Sequence, residues 1–198
     1  MCVAPRPYTM RVRADALART RDQIIAAALA LTEETLSLEL TLDAVAQRAG
    51  VGVRTVLRHF GSRDGLFDAV FAVGLAAVEA EREAPAGDVE TALAALLEQY
   101  ERRGDYTAHL LGQEGTDPRV DRLLRTGRGV HRRWVAGVFA PWIAALPAAD
   151  ADGLTDLLVV ATDVYTWKLL RRDRGLSAGD TRQRMRQLIE ALLTGHQR

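Results

Sequence analysis

The sequence has little of the chemistry on which many enzymes and membrane proteins depend. One cysteine, Cys2, occurs among 198 residues, so neither an internal disulfide nor a cysteine-based zinc or redox site can form. No uncharged run reaches the roughly 20 residues of a membrane-spanning helix. The longest, residues 134–149, also contains two prolines. We therefore expect a cytoplasmic protein with no cofactor, no metal site and no membrane partner.

Aromatic residues are also scarce, at 6%, and lysine occurs once. Alanine and leucine dominate while β-branched residues are few, a composition that favours helices over sheets. No segment alternates polar and apolar residues over the length of a strand. The sequence therefore predicts an all-α protein, in which 48% hydrophobic residues supply a substantial core.

The charge of the chain is balanced in number but not in position. The sequence has 26 basic and 26 acidic residues. Residues 44–63 contain four arginines and no acid, whereas residues 79–121 contain eleven acids and four arginines. This contrast favours a phosphate-binding region followed by a segment with another task. Coding bias is an alternative source of the arginines, because they make up 25 of the 26 basic residues.

Residues 79–88 interrupt the helical pattern with Pro85 and Gly87 and indicate a boundary between two domains. We place the first domain at residues 1–83 and the second at residues 84–198. In the first, the apolar spacing predicts helices at 13–36, 42–49 and 53–59, and a longer one after Ser62. In the second, it predicts helices at 88–103, 105–114, 118–145, 151–172 and 178–196, which makes about nine in total.

Two short helices joined by a tight turn form a helix-turn-helix pattern in the first domain. Thr41 is placed to cap the first helix and Gly50 to end it. Val56 and Phe60 of the second helix are predicted to face inward, which leaves polar residues free to meet base edges and phosphates. These polar residues are Arg54, Thr55, Arg58 and His59. A solvent-exposed helix face without any ligand would show the same pattern.

Three segments of this region resemble the DNA-binding domain of the TetR/AcrR family of bacterial transcriptional regulators. They are TRDQIIAAA at 20–28, LTLDAVAQRAGV at 40–51 and VRTVLRHFGSRDGLF at 53–67. The order and spacing of the helices match as well as the residues. Residues 163–177, DVYTWKLLRRDRGLS, resemble a subset of the same family more weakly.

The resemblance implies a homodimer that binds double-stranded DNA at a palindromic operator. A dimer suits this role, because two helix-turn-helix units engage paired half-sites. The implied contacts to phosphates and to the major groove are Thr41, Val53, Arg54, Thr55, Arg58, His59 and Arg63. Two positions depart from the family pattern. Gly52 replaces a frequent capping serine, and Leu57 replaces a tyrosine whose hydroxyl bonds phosphate, a contact that Arg58 is a candidate to replace.

In the family, the second domain forms the dimer and binds a small-molecule effector. The apolar faces of the last two predicted helices would close a four-helix interface with a second copy. The candidate seam residues are Leu154, Leu158, Ala161, Leu188 and Leu192. Packing within a single chain is the alternative explanation of these faces.

An effector pocket is expected to combine aromatic walls with a few hydrogen-bonding groups. The candidate residues are Tyr106, His109, His131, Trp134 and Tyr165, each of which could instead be an ordinary core or surface residue. Six arginines between residues 119 and 133 recur mostly at every third or fourth position. We predict that nearby acids pair with this row in solvent, and an anchor for an anionic ligand is the second possibility.

These features favour a ligand-responsive transcriptional regulator, most simply a repressor that a small molecule releases from its operator. The alternative is an effector-independent DNA-organising or nucleoid-associated protein of the same fold. We do not expect an enzyme, because the chain has no glycine-rich phosphate loop, no cysteine nucleophile, no HExxH and no serine elbow. Lys168 is expected to cap a helix end or an interface rather than to catalyse a reaction.

Overall fold

The computed structural model describes residues 7–35 and 40–195, with residues 7–13 described by their backbone only. Cys2 and the predicted helix end at Leu36 lie outside the described residues. All regular elements in the described ranges are helical, which confirms the all-α class. None of the helices in these ranges is long and apolar enough to cross a membrane.

The chain divides into two compact units, Met1–Gly74 and Leu75–Arg198. The helices are α1 (Pro7–Thr35), α2 (Leu42–Arg48), α3 (Val53–Phe60), α4 (Arg63–Glu81), α5 (Val89–Leu111), α6 (Pro118–Val138), α7 (Ala140–Ile143), α8 (Ala148–Thr162), α9 (Val164–Lys168) and α10 (Ala178–Gly195). A π-helical turn, Leu169–Asp173, follows α9. The functional domain boundary proposed near residue 83 stays a prediction.

Local caps set the ends of the short helices in the first unit. Thr41 Oγ1 accepts a hydrogen bond from the Ala44 amide at 3.1 Å and so caps α2. Gly50 and Gly61 follow α2 and α3 with φ angles of 65° and 75°, a region that glycine enters without steric cost. Ser62 Oγ accepts from the Gly65 amide at 3.0 Å at the start of α4. The predicted caps and ends of the helix-turn-helix are confirmed.

The core of the first unit orients α3 through contacts with three other helices. Val56 of α3 is wholly buried, as predicted, whereas Phe60 is half-buried. The other buried apolar residues are Ile24, Ile25, Ala27 and Ala28 of α1, Leu40, Val45, Ala46 and Ala49 in and around α2, and Leu66, Phe67 and Val70 of α4. Gln23 Nε2 of α1 also donates to the Ala49 carbonyl at 3.0 Å. These contacts fix which face of α3 stays exposed.

In the second unit, the prediction of separate helices at 88–103 and 105–114 is wrong. Residues 89–111 form one helix, α5, with Gly104 in its interior. A Cβ atom on Gly104 would lie less than 3.0 Å from three atoms of the Trp167 ring. Gly104 therefore serves the packing of α5 against Trp167 and does not end a helix.

Two other predicted helices are shorter in the structure. Helix α6 ends at Val138 rather than near residue 145, and Pro141 lies in the one-turn helix α7, in line with the break expected at this proline. The predicted helix 151–172 is interrupted at Asp163, whose ψ of 152° is extended. Asp163 Oδ1 accepts from the Tyr165 amide at 2.8 Å and thereby caps α9. Asp163, which lies inside an apolar run, thus marks the start of a new helix.

The second unit surrounds one apolar core. Residues from α5, α6, α8, α9 and α10 meet there, and Trp167 lies at its centre, wholly buried. The Trp167 Nε1 donates to Glu101 Oε1 at 3.0 Å, and its ring lies 5.8 Å from the Tyr100 ring, centroid to centroid. The largest fully buried side chains beside it are Phe139, Leu93, Leu96, Leu154, Leu158, Met185 and Ile189.

Candidate functional site

The exposed face of α3 carries the residues predicted to read DNA. Arg54 and Arg58 are exposed, while Val53 and Thr55 are half-buried at the start of the helix. Within the described residues neither arginine has a carboxylate partner. Their positive charges are therefore uncompensated by the described residues, which is the state in which a DNA phosphate or a guanine edge can bind them.

Thr41 and Arg63, which are predicted to contact phosphates, also make hydrogen bonds at the start of α2. Thr41 caps this helix with the hydroxyl described above. Arg63 Nε donates to the Leu40 carbonyl at 3.0 Å, and its guanidinium lies 5.3 Å from the centroid of the Phe67 ring. Both side chains remain exposed. A phosphate at this position would meet the positive end of the α2 dipole as well as the arginine.

His59 is placed less favourably for the role predicted for it. The residue is half-buried, and its Nε2 atom is buried without a hydrogen-bond partner in the described part of the chain. Sequence reasoning also missed Arg21 of α1, whose guanidinium lies 5.3 Å from the centroid of the Phe60 ring. Arg21 thus brings a positive charge beside the last residue of α3. The cluster of arginines among residues 1–21 was the signal that could have identified it.

The two departures from the family pattern have visible effects. Gly52 precedes α3 without a side-chain cap, and only its carbonyl takes part, accepting from the Thr55 amide at 2.8 Å. Leu57 is exposed, so an aliphatic side chain lies on the surface of α3. The seven predicted DNA contacts themselves stay predictions, because no DNA is present.

A second candidate site lies inside the second unit, around Arg82, which directly follows α4. Arg82 is 7% exposed. Its Nε donates to Gln99 Oε1, and its Nη1 donates to His131 Nδ1 at 3.2 Å. The guanidinium lies 5.2 Å from the Tyr100 ring centroid and 5.9 Å from that of Trp134. We call the following residues the Arg82 cluster: Arg82, Gln99, Tyr100, His131, Trp134 and Thr162.

Hydrogen bonds within the Arg82 cluster fix the protonation of His131. Arginine can only donate, so His131 Nδ1 must accept and the ring proton lies on Nε2. Nε2 then donates to Thr162 Oγ1 at 3.1 Å, and this hydroxyl donates to the Leu158 carbonyl at 2.7 Å. Burial, and after it the charge of Arg82, lowers the pKa of His131 to about 4. His131 is therefore a neutral acceptor near pH 7.

Further contacts tie the cluster to α5, α6 and α8. Trp134 Nε1 donates to the Arg82 carbonyl at 2.8 Å, and the Trp134 ring stacks on His131 with centroids 5.6 Å apart. Tyr100 Oη donates to the Thr162 carbonyl at 3.0 Å, and burial raises the pKa of this phenol. The end of α4 is thus held among three other helices by polar groups.

The charge of Arg82 has no direct counter-charge. No carboxylate of the described residues pairs with it, since its acceptors are an amide and a neutral imidazole. Burial lowers the pKa of Arg82, while the negative charges of Glu81 and Asp163 act on it from beyond ion-pair distance. A guanidinium keeps its charge even so. The cluster therefore presents a cation between aromatic rings.

The structure brings together only part of the predicted effector pocket. His131 and Trp134 belong to the Arg82 cluster, Tyr106 is half-buried, and His109 and Tyr165 are exposed. The Nε2 atom of His109 lies 2.8 Å from the Nε2 atom of Gln113. The sequence did not indicate Arg82 or Gln99 as candidates. Arg82 lies in the segment 79–88, which was interpreted as a boundary between two domains.

Most of the predicted seam residues lie in the interior of the chain's own second unit. Leu154, Leu158 and Ala161 are buried in its core, Leu192 is half-buried and Leu188 is exposed. The exposed apolar residues of α8 are instead Leu157 and Val160. A second copy could meet this opposite face of α8 without unfolding the core.

Four arginines of the row on α6 are paired with acids, as predicted for the row. The ion pairs are Arg119–Asp117 at 2.6 Å, Arg128–Glu114 at 2.6 Å, Arg133–Glu79 at 3.3 Å, and Arg132 with Asp152 and Asp156. Lys168 pairs with Asp173 at 2.8 Å, at the end of the π-helical turn. These side chains have their charges compensated within the unit.

A family model matches most of the first unit. The sequence profile of "Bacterial regulatory proteins, tetR family" matches residues 24–70, a range that contains α2, α3 and all seven predicted DNA contacts. No curated protein sequence matches the chain.

Solved structures of regulators share the fold. A transcriptional regulator from Rhodococcus sp. Rha1 is 21% identical over 88% of this chain and 96% of that chain, with a TM-score of 0.65. A tetR-family transcriptional regulator from Streptomyces coelicolor is 15% identical over 90% of this chain and 88% of that chain, with a TM-score of 0.66. A putative TetR-family regulator from Rhodococcus sp. is 18% identical over 88% and 99%, with a TM-score of 0.63. Residues 24–70 are thus similar to the tetR family of bacterial regulatory proteins, and the chain shares its fold with solved structures of transcriptional regulators.

Proposed function

We propose that this regulator is a homodimeric repressor that leaves a palindromic operator when a small molecule binds its second unit. The observation that carries the proposal is the pair of exposed arginines on α3, Arg54 and Arg58, which have no carboxylate partner among the described residues and follow the capped start of α2 in the chain. In this proposal Val53, Arg54 and Thr55 meet the major groove. Thr41, Arg58, His59 and Arg63 meet phosphates.

Dimer formation is proposed through α8 and α10. Leu157 and Val160 are 44% and 60% exposed on α8, and Leu188 is 42% exposed on α10. Such apolar residues on the last helices suit a two-fold interface in which each helix meets its copy. Val160→Arg and Leu188→Arg should give folded monomers in sedimentation, whereas Leu17→Arg, at an exposed position of α1, should leave the dimer intact. Monomers of the unmodified protein at micromolar concentration would contradict this interface.

The operator is tested by selecting binding sites from random DNA. We expect a two-fold symmetric sequence whose half-sites lie about 34–36 Å apart, or a multiple of that distance. Arg63→Ala should weaken binding to every sequence and lower the salt dependence by about one unit, because one phosphate contact is lost. Selection of sequences without symmetry would contradict a dimeric repressor.

An effector-independent DNA-organising protein is the second candidate. The tight packing of Trp167 on Gly104 favours it, because a filled core leaves little space for a ligand. The two candidates differ in the number of sites occupied in the cell. Binding at a few symmetric sites, released by a small molecule, supports the repressor, and binding at many unrelated sites supports the alternative.

A further inference from the structure

Helix α4 buries side chains only near its beginning. Leu66, Phe67 and Val70 are buried, whereas no residue from 71 to 81 is. Arg82, the next residue, is buried in the polar cluster described above. Glu79 and Glu81 add ion pairs to Arg133 and to Arg102 and Arg103. The end of α4 is therefore positioned by polar contacts, which a polar ligand can exchange more readily than apolar packing.

The Arg82 guanidinium has no anionic partner among the described residues. It donates hydrogen bonds to Gln99 and His131, and Tyr100 is a further side-chain hydrogen-bonding partner. All three partners are neutral, although a buried cation is normally paired with a negative group. The planar fork of arginine matches a carboxylate, which can accept two parallel hydrogen bonds from it.

We propose that the Arg82 cluster binds an effector that carries a carboxylate on an apolar or aromatic body, with the carboxylate replacing Gln99 or His131 as the acceptor of Arg82. This inference rests on the proposed function and specifies its ligand class. The rings of Tyr100 and Trp134 flank the guanidinium and would contact the body of the ligand.

A singly charged acid fits the surroundings better than a phosphate dianion. Glu81 and Asp163 already place negative charge near Arg82, and each added negative charge on the ligand increases the repulsion from them. One carboxylate supplies the missing counter-charge without an excess.

Occupation of the cluster would act on α4 directly. Trp134 Nε1 holds the Arg82 carbonyl, so the backbone at the end of α4 is part of the cluster. A carboxylate that draws the guanidinium away from Gln99 and His131 changes the contacts of this backbone. A ligand shifts DNA binding only as far as it favours one arrangement over the other.

The first experiment measures binding of acids to the full chain by calorimetry. Butyrate, octanoate, benzoate and indole-3-acetate are each compared with the corresponding amide, which has the same shape without the charge. We expect at least one acid to bind at least tenfold more tightly than its amide. Arg82→Gln should abolish this preference, whereas Arg125→Gln, at an exposed arginine of α6, should retain it. If no acid binds better than its amide, the ligand class is wrong.

The second experiment supplies the carboxylate from the chain itself and does not depend on how well Arg82→Gln folds. Gln99→Glu places a negative group on Arg82 Nε, so it should raise the melting temperature and weaken acid binding at least tenfold. Gln183→Glu makes the same chemical change at an exposed position of α10 and should do neither. Unchanged acid binding in Gln99→Glu would overturn the site.

Operator affinity, measured with the same proteins, separates this inference from the proposed function. Acid binding that depends on Arg82 and weakens operator binding supports both. Acid binding that depends on Arg82 but leaves operator affinity unchanged supports the ligand class and contradicts the ligand-released repressor. Loss of operator affinity in Gln99→Glu without any ligand would further support the link to α4.

Discussion

Arginine serves opposite purposes in the two units. In the first, Arg54 and Arg58 of α3 are exposed and have no carboxylate partner among the described residues. In the second, Arg128, Arg132 and most of their neighbours on α6 are ion-paired. Pairing, rather than the number of arginines, therefore indicates which charges are available to a ligand. By this criterion the buried Arg82 resembles Arg54 and Arg58 and differs from the ion-paired arginines of its own unit.

The largest expected effect is a loss of stability when the core of the second unit is disrupted at Trp167. Paired arginines surround this core. Arg172 lies 4.6 Å above the Trp167 ring, and Glu101 bonds both Trp167 and Arg171. Trp167→Ala removes a wholly buried ring and should lower the free energy of unfolding by about 3–5 kcal/mol.

Urea denaturation followed by circular dichroism measures this loss. Tyr165→Ala removes an aromatic ring two residues earlier, at a half-exposed position, and should lower the free energy of unfolding far less. Equal losses in the two variants would show that Trp167 is not the centre of the core.

The next effect tests the burial of His131 beside the charge of Arg82. The pKa of His131 is about 4 in the folded chain against an ordinary value of 6.5. Between these values the unfolded chain binds a proton that the folded chain does not, so stability falls as the pH falls from 6.5 to 4. The loss should approach about 3 kcal/mol.

The measurement compares the free energy of unfolding at several pH values with that of His131→Gln. The stability of the unmodified chain should fall more steeply than that of the variant between pH 6.5 and 4. His109→Gln, which removes an exposed histidine, should follow the unmodified chain. Parallel profiles for the unmodified chain and His131→Gln would mean that His131 titrates normally.

A smaller effect is expected for the unpaired arginines of the first unit. Arg54→Ala should cost about 1–3 kcal/mol of binding to the selected operator and relax the preference at one base pair. Arg125→Ala, at an exposed arginine of α6, should leave DNA binding unchanged. An equal loss on operator and random DNA would assign Arg54 to a phosphate instead of a base.

The smallest effect is expected for the paired arginines. Arg128 and Glu114 form an exposed, doubly bonded ion pair. Exposed pairs contribute little, because water solvates both partners when they separate. Arg128→Ala should therefore change neither the melting temperature nor operator affinity measurably, and a clear loss of either would contradict the contrast between the units.

Sequence reasoning succeeded where local residues determine the structure. The caps and turns of α2 and α3 depend on Thr41, Gly50 and Gly61, which act within a few residues of their own positions. It was wrong at Gly104, which was interpreted as a break between two helices, and at Asp163, which was placed inside one helix. The reason for Gly104 is the Trp167 ring, 63 positions along the chain, so the isolated glycine resembled a helix end.

The candidate sites divide in the same way. The exposed face of α3 that is proposed to bind DNA could be assigned from the sequence, because its residues lie close together in sequence and in a segment that matches a family model. The Arg82 cluster could not, because its members come from residues 82 to 162 and meet only in the folded chain. Of its members, only His131 and Trp134 are among the predicted effector-pocket residues, and they are predicted from their side-chain types.

The fit between Gly104 and Trp167 constrains how this sequence can change over generations. A larger residue at position 104 is tolerated only after the tryptophan has been replaced by something smaller, since the ring occupies the space of any Cβ atom. Loss of the ring first leaves a cavity that a later side chain at 104 could fill. The two positions should therefore be inherited as a pair, with tryptophan always accompanied by glycine among descendants of this chain.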